Sequence, residues 1–199
     1  MAGPIRFYFD FASPYAWFSV PGIEAIGREF GRSVEWKPVL AWAILKAHGI
    51  FPPMDSPARR AYLVNDMKRS ADFMGVPYVH PVKLPLSAHL AARLYYSAID
   101  EPALARALAE RLFRAFFLER QDISDAGVLR RLAADAGMDE AAAMEGMQGA
   151  AARARLEQAV AEAIAAGVVG SPYFVADGEG FFGADRLPQL RWHLARRQA

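Results

Sequence analysis

The segment Ile5–Phe18, I-R-F-Y-F-D-F-A-S-P-Y-A-W-F, sets the terms on which the rest of the chain must fold. Ile5, Phe7 and Phe9 alternate with Arg6 and Tyr8, the two-residue period of a strand with one strongly apolar face, and Phe11 carries that character toward a turn. Ser13-Pro14 then breaks the pattern. Serine is a favoured N-cap, and proline is accepted at the first helical position because its missing N–H would be unpaired there anyway. The spacing therefore predicts a helix from about Pro14 to Phe30. It also places the Ser13 hydroxyl beside unpaired backbone N–H groups, where an anion can be stabilised. On spacing alone Ser13 is either such a site or a plain cap.

A strand of this kind needs partners. After Gly31, the run Ser33–Val39 alternates as a second strand closed by Pro38, and the resulting β-α-β unit favours parallel pairing. Leu40 to Gly49 is short and apolar, and Phe51-Pro52-Pro53 cannot continue a helix. A helical pattern resumes at Pro57, and a loop with three prolines runs from Gly75 to Pro85. Helices are predicted at about Ser87–Ile99, Glu101–Leu118 and Asp125–Ala136, the last opened by Ser124 as its cap. The alanine-rich stretch from Ala126 to Ala166 is cut into shorter helices by Gly137, Gly146 and Gly149.

The last forty residues return to mixed structure. Tyr173–Ala176 reads as a strand, Asp177-Gly178-Glu179-Gly180 as a hairpin turn and Phe181-Phe182 as the returning strand. A helix is predicted from Arg186 to about Arg196, with Asp185 as N-cap. The order β-α-β, helices, β-β-α predicts an α/β protein, a thioredoxin-like fold interrupted by an inserted all-helical domain. Residues 1–41 and 156–199 would form the two halves of the first domain and 42–155 the insertion.

Composition narrows the chemistry. A net charge of +1 gives no electrostatic case for nucleic acid, and no apolar segment approaches the length needed to span a bilayer. The N-terminus lacks a basic stretch followed by an apolar run, so a soluble cytoplasmic protein without a membrane partner is expected. The chain has no cysteine, which removes disulfides, thiolate metal sites and protein-thiol redox chemistry together. Its four histidines, His48, His80, His89 and His193, show no short metal-ligand spacing, and no metal is expected.

Five segments then carry a resemblance in one collinear register: F-D-F-A-S-P-Y at 9–15, P-A-R-R-A-Y at 57–62, G-V-P at 75–77, G-S-P-Y-F at 170–174 and F-F-G-A-D-R-L at 181–187. Together they resemble the 2-hydroxychromene-2-carboxylate isomerase family. These enzymes are relatives of the kappa-class glutathione transferases and, more distantly, of DsbA-type disulfide oxidoreductases. Where DsbA-type relatives carry Cys-x-x-Cys, this chain reads Ser13-Pro14-Tyr15-Ala16, and without a cysteine it cannot exchange disulfides. The resemblance implies that the thiol comes from bound glutathione, its sulfur near the Ser13 hydroxyl and Tyr15 beside it. It implies a cis peptide bond before Pro172, leaving the backbone N–H and C=O of Ser171 free for the cysteinyl part of glutathione, where residues alone suggest a trans turn. It also implies that Gly183, Ala184, Asp185 and Arg186 hold the γ-glutamyl end at a helix start.

The same resemblance points to a substrate site with departures. Ile50 stands where relatives carry Asn, in Gly49-Ile50-Phe51-Pro52-Pro53, and Pro53 closes that stretch. Arg59 stands where lysine is frequent, and Ala184 where an amide is usual. Lys83 either binds a substrate carboxylate or is simply solvated. The aromatics Trp17, Trp42, Phe51, Tyr62 and Tyr78 either wall an apolar pocket or belong to the core. The implied activity is glutathione-dependent cis-trans isomerisation of a chromene-type aromatic acid, by a homodimer acting in the catabolism of aromatic compounds. The alternatives are a kappa-like glutathione transferase and a thioredoxin-like binding module without catalysis.

Overall fold

The computed structural model describes residues 3–197. Strand β1 (Ile5–Phe9) buries Ile5, Phe7 and Phe9 completely, as an aromatic face demands, and lies inside the sheet with a neighbour on each side. The strand order is β2-β1-β3-β4. Strand β2 (Val34–Pro38) runs parallel to β1, from Ile5 opposite Val34 to Phe9 opposite Pro38. Strand β3 (Tyr173–Ala176) is antiparallel to β1, setting Phe7 opposite Phe174 with ring centroids 5.3 Å apart. Tyr8, expected on the open face, is buried as well, because it packs with Val39, Ile44, Ala163 and Val168 in a second cluster. Helices cover both sides of the sheet.

The first helix, α1 (Pro14–Glu29), starts where predicted, with the Ser13 side chain accepting from the Ala16 N–H. The short apolar stretch after β2 forms α2 (Ala41–Ala47), and α3 spans Pro57–Met74. There follow α4 (His89–Ser97), α5 (Pro102–Phe117), α6 (Ala126–Asp135), α7 (Glu140–Gln148) and α8 (Ala150–Ala165). Asp125, not Ser124, caps α6: its carboxylate accepts the Val128 N–H at 2.8 Å, while Ser124 is engaged with Asp122. Gly137 and Gly149 lie at helix ends as expected, but Gly146 is inside α7, where a Cβ would come within 2.3 Å of Ser97 Oγ on α4. It marks a close helix contact and not a break.

Asp177 and Gly178 both have positive φ, 52° and 82°, so the hairpin turns on two residues in the primed geometry that suits strand twist. Strand β4 therefore begins at Glu179, two residues before the predicted start. After β4 the chain makes a single 3-10 turn, Ala184–Arg186, before α9 (Leu187–Arg196). Asp185 sits inside that turn and does not cap α9. A cap bonds the N–H two or three residues on, and the third residue on is Pro188, which has none.

The domain boundary expected at 155/156 falls within α8. One hydrophobic cluster runs from Phe7, Phe9 and Phe11 of the first strand and its turn to Phe113, Phe116 and Phe117 of α5. Phe9 and Phe113 lie 5.3 Å apart, so the sheet and the inserted helices share a single core.

Candidate active site

A cavity of about 380 Å³ opens where α1 begins, and its wall is mostly apolar. Ser13, Tyr15, Pro53 and Ser171 line it, together with Asp10, Trp42, Met54 and Leu86. Ser13 reaches it because β1 ends at Phe9 and a tight turn follows, in which the Ser13 N–H bonds to the Asp10 carbonyl at 2.9 Å. Pro14 has no N–H, Ala16 and Trp17 bond back to Ser13, and the Tyr15 N–H has no partner among the described residues. The start of α1 thus offers one spare donor beside a hydroxyl.

Opposite Ser13 stands the loop before β3. The Ser171–Pro172 bond is cis, and so is Leu84–Pro85 on the cavity wall. The Ser171 carbonyl is not free as expected: the Ser13 hydroxyl donates to it at 3.2 Å. A serine has one proton, so Ser13 must turn from this carbonyl before it can donate to anything else. The loop is tied further on, where the Gly183 N–H donates to the Pro172 carbonyl at 3.0 Å. That bond brings the 183–186 turn up against the cis-proline. Within the turn Ala184 is buried, while Asp185 and Arg186 are exposed and pair with each other at 3.3 Å.

Of the four residues expected to face the substrate, Pro53 lines the cavity and the other three stand elsewhere. Ile50 and Arg59 are exposed and do not line the cavity. Lys83 lies 3.7 Å from Asp122 and 3.4 Å from Ser124, on the surface. Among the described residues no lysine, arginine or histidine lines the cavity, which instead holds two acids, Asp10 and Asp55. Of the five candidate pocket aromatics, Trp42 lines it, Trp17 and Tyr78 pack against Phe113, Phe117 and Phe18, and Phe51 and Tyr62 are exposed.

Two acids of the site, Asp66 and Asp10, carry no signal in the spacing of the sequence motifs. Tyr15 donates its hydroxyl to Asp66 of α3 at 2.5 Å, and Asp66 is also held by Arg69 and Ser70. Burial and that carboxylate push the Tyr15 phenol well above its usual range, so it is a neutral wall. Burial raises Asp66, yet the bonds from Tyr15, Arg69 and Ser70 outweigh it and leave the carboxyl below its ordinary value. The second is Asp10, only 5% exposed. Its Oδ1 accepts the Ala12 N–H and its Oδ2 the Ala41 N–H, each at 2.9 Å, and its own N–H donates to Ser171 Oγ at 2.8 Å. Burial pushes its carboxyl up to about 6, the two N–H groups offsetting part of the rise. A lone acid between Phe9 and Phe11, at the exit of a buried strand, was the signal that could have found it.

A mixed sheet split by inserted helices, with the α1 start facing a cis-proline loop, defines the class, and a family model described as a DSBA-like thioredoxin domain matches residues 4–195. The chain belongs to that family. It is 28% identical over 196 residues to a 2-hydroxychromene-2-carboxylate isomerase of Sphingobium xenophagum, covering 98% of this chain and 99% of the relative. It is 29% identical over 209 residues to glutathione S-transferase kappa 2 of Caenorhabditis elegans, covering 96% and 91%. A solved 2-hydroxychromene-2-carboxylate isomerase superposes with a TM-score of 0.85 at 25% identity, over 96% of this chain and 94% of that one. Among the described residues no helix is long and apolar enough to cross a membrane, and no group of acids and histidines is arranged to hold a metal ion.

Proposed function

We propose that the protein is a glutathione-dependent isomerase of aromatic acids of the 2-hydroxychromene-2-carboxylate type. The observation that carries this reading is the Ser13 hydroxyl at the start of α1, on the wall of an apolar cavity, in a chain without a thiol of its own. Glutathione, when bound, supplies a soft nucleophile that makes a conjugated double bond transiently single, so that it can rotate and re-form. The residues present fit such a ligand. Ser13 rotates from the Ser171 carbonyl to donate to the sulfur, and the spare Tyr15 N–H adds the positive end of α1. The released carbonyl and the neighbouring 183–186 turn offer backbone groups to the peptide part of the ligand. Trp42, Met54 and Leu86 exclude water from an aromatic ring. Kinship also supports a homodimer acting in the breakdown of aromatic compounds, which light scattering on the purified protein tests for its oligomeric part.

Calorimetry with glutathione, paired with thiolate absorbance across pH, tests the reading. The native protein is expected to lower the thiol pKa by about one to two units from its ordinary value of about 8.5, and Ser13→Ala to return most of that shift. No binding at millimolar glutathione overturns it.

A kappa-like transferase is the second reading, and the cation-free cavity favours it: with Asp10 and Asp55 on the wall, an uncharged electrophile is accommodated more easily than a carboxylate. An isomerase leaves glutathione unchanged over many turnovers, whereas a transferase consumes one equivalent per product.

A further inference from the structure

Asp10 joins three pieces of chain that meet only at the cavity. Its carboxylate holds the turn before Ser13 through Ala12 and the first turn of α2 through Ala41, while its amide holds the side chain of Ser171. Ser171 in turn faces Ser13 through its carbonyl. We propose that Asp10 is the positioning residue of this site, its carboxylate clamping the Ser13 turn and α2 against the cis-proline loop, and that protonation of this clamp weakens ligand binding on the acid side. The inference rests on the glutathione reading given above.

An ionised carboxylate accepts both N–H groups at full strength; a protonated one turns an acceptor oxygen into a hydroxyl, and one of the two bonds is weakened or lost. Among the described residues no ion pair reaches Asp10, and burial set against these two N–H groups leaves it titrating close to pH 6. The other ionisable groups on the cavity wall are Tyr15 from α1 and Asp55 from the segment between α2 and α3, with Asp66 of α3 behind Tyr15. The phenol lies far above the relevant window. Keeping a buried charge at the site has an energetic cost that packing alone would not maintain, and such groups concentrate where a protein binds or reacts.

The test is binding of S-methylglutathione by calorimetry between pH 5 and 7. The probe has no titrating thiol, and its carboxyls and amine keep their charge across that window. Native affinity is expected to fall about five- to tenfold from pH 7 to pH 5, following the fraction of clamped protein. Asp10→Asn, which keeps shape and loses charge, is expected to bind at least about fivefold more weakly at pH 7 and to lose the acid limb. Ala41→Pro removes one N–H donor at a helix position that accepts proline, leaves Asp10 in place, and is expected to move the midpoint of the limb up by about one pH unit. That shift is a response a merely structural contact would not give, and it decides the matter if Asp10→Asn fails to fold. A folded Asp10→Asn with native affinity and an unchanged acid limb, or an unmoved midpoint in Ala41→Pro, overturns the role of Asp10 and leaves the cofactor reading standing. Failure of the native protein to bind the probe at millimolar concentration overturns both.

Discussion

A carboxylate buried without a cation is stable only where something else fixes it, and at Asp10 that something is two backbone N–H groups. Its carboxyl is raised from 3.8 to about 6, so between those values the folded protein holds a proton that the unfolded chain has already released. Stability from this group is therefore fully present below about pH 4 and is lost as the pH rises through 6, by roughly 3 kcal/mol at about 1.4 kcal/mol per unit. The expectation is that native protein loses denaturant midpoint between pH 4.5 and 7 by an increment absent from Asp10→Asn. Equal pH dependence in the two proteins would show that the burial of this charge costs nothing. Asp177 has the opposite sign: the Arg32 guanidinium, donating to both its oxygens at 2.8 Å, holds the carboxyl below its ordinary value. That stabilisation is present above the unfolded pKa and fades as acid protonates the pair.

At the scale of elements, the joints were readable wherever local chemistry decides them. Ser13-Pro14 starts α1, and Asp177-Gly178 turns the hairpin, because caps and primed turns depend on a few adjacent residues. What was misread depended on distant partners or on which of two neighbouring caps wins. Gly146 looks like a helix breaker in sequence, yet it is where α7 and α4 touch, and only the folded pair shows that a methyl group has no room. Gly146→Ala raises intrinsic helix propensity by up to about 1 kcal/mol, so a simple break would be repaired. The close contact predicts instead a net loss of about 1–3 kcal/mol, read as a lower melting temperature. Ser124 and Asp125 are both competent caps, and the choice fell to Asp125 because Asp122 occupies the Ser124 hydroxyl. The substrate residues suffered most: Lys83 and Arg59 are recognisable by position in a family pattern, but a surface acid decides where Lys83 rests. Asp10 was in full view within F-D-F-A-S-P-Y, and its three partners, at positions 12, 41 and 171, are collected only by the fold.

For the whole molecule, the shared core outweighs the division into domains that the element order suggests. Phe9 and Phe11 of the first strand and its turn stand against Phe113 of α5, with Trp17 and Trp36 on the same ring. Removing Phe113 opens a cavity bordered by both regions, and Phe113→Ala is expected to cost about 3–5 kcal/mol. Fluorescence and far-ultraviolet dichroism should then lose structure together, in one transition. Two resolved transitions would mean that the inserted helices stand alone.

The position of β1 inside the sheet also has a consequence for synthesis on the ribosome. β2 is made soon after β1 and can pair with it at once, but β3, the neighbour on the other side, lies about 130 residues further along. At roughly 5–20 residues per second, an aromatic strand waits on the order of ten seconds with one edge open. Such an edge invites pairing with another nascent chain, so the cell must shelter this protein longest just before its final hairpin emerges.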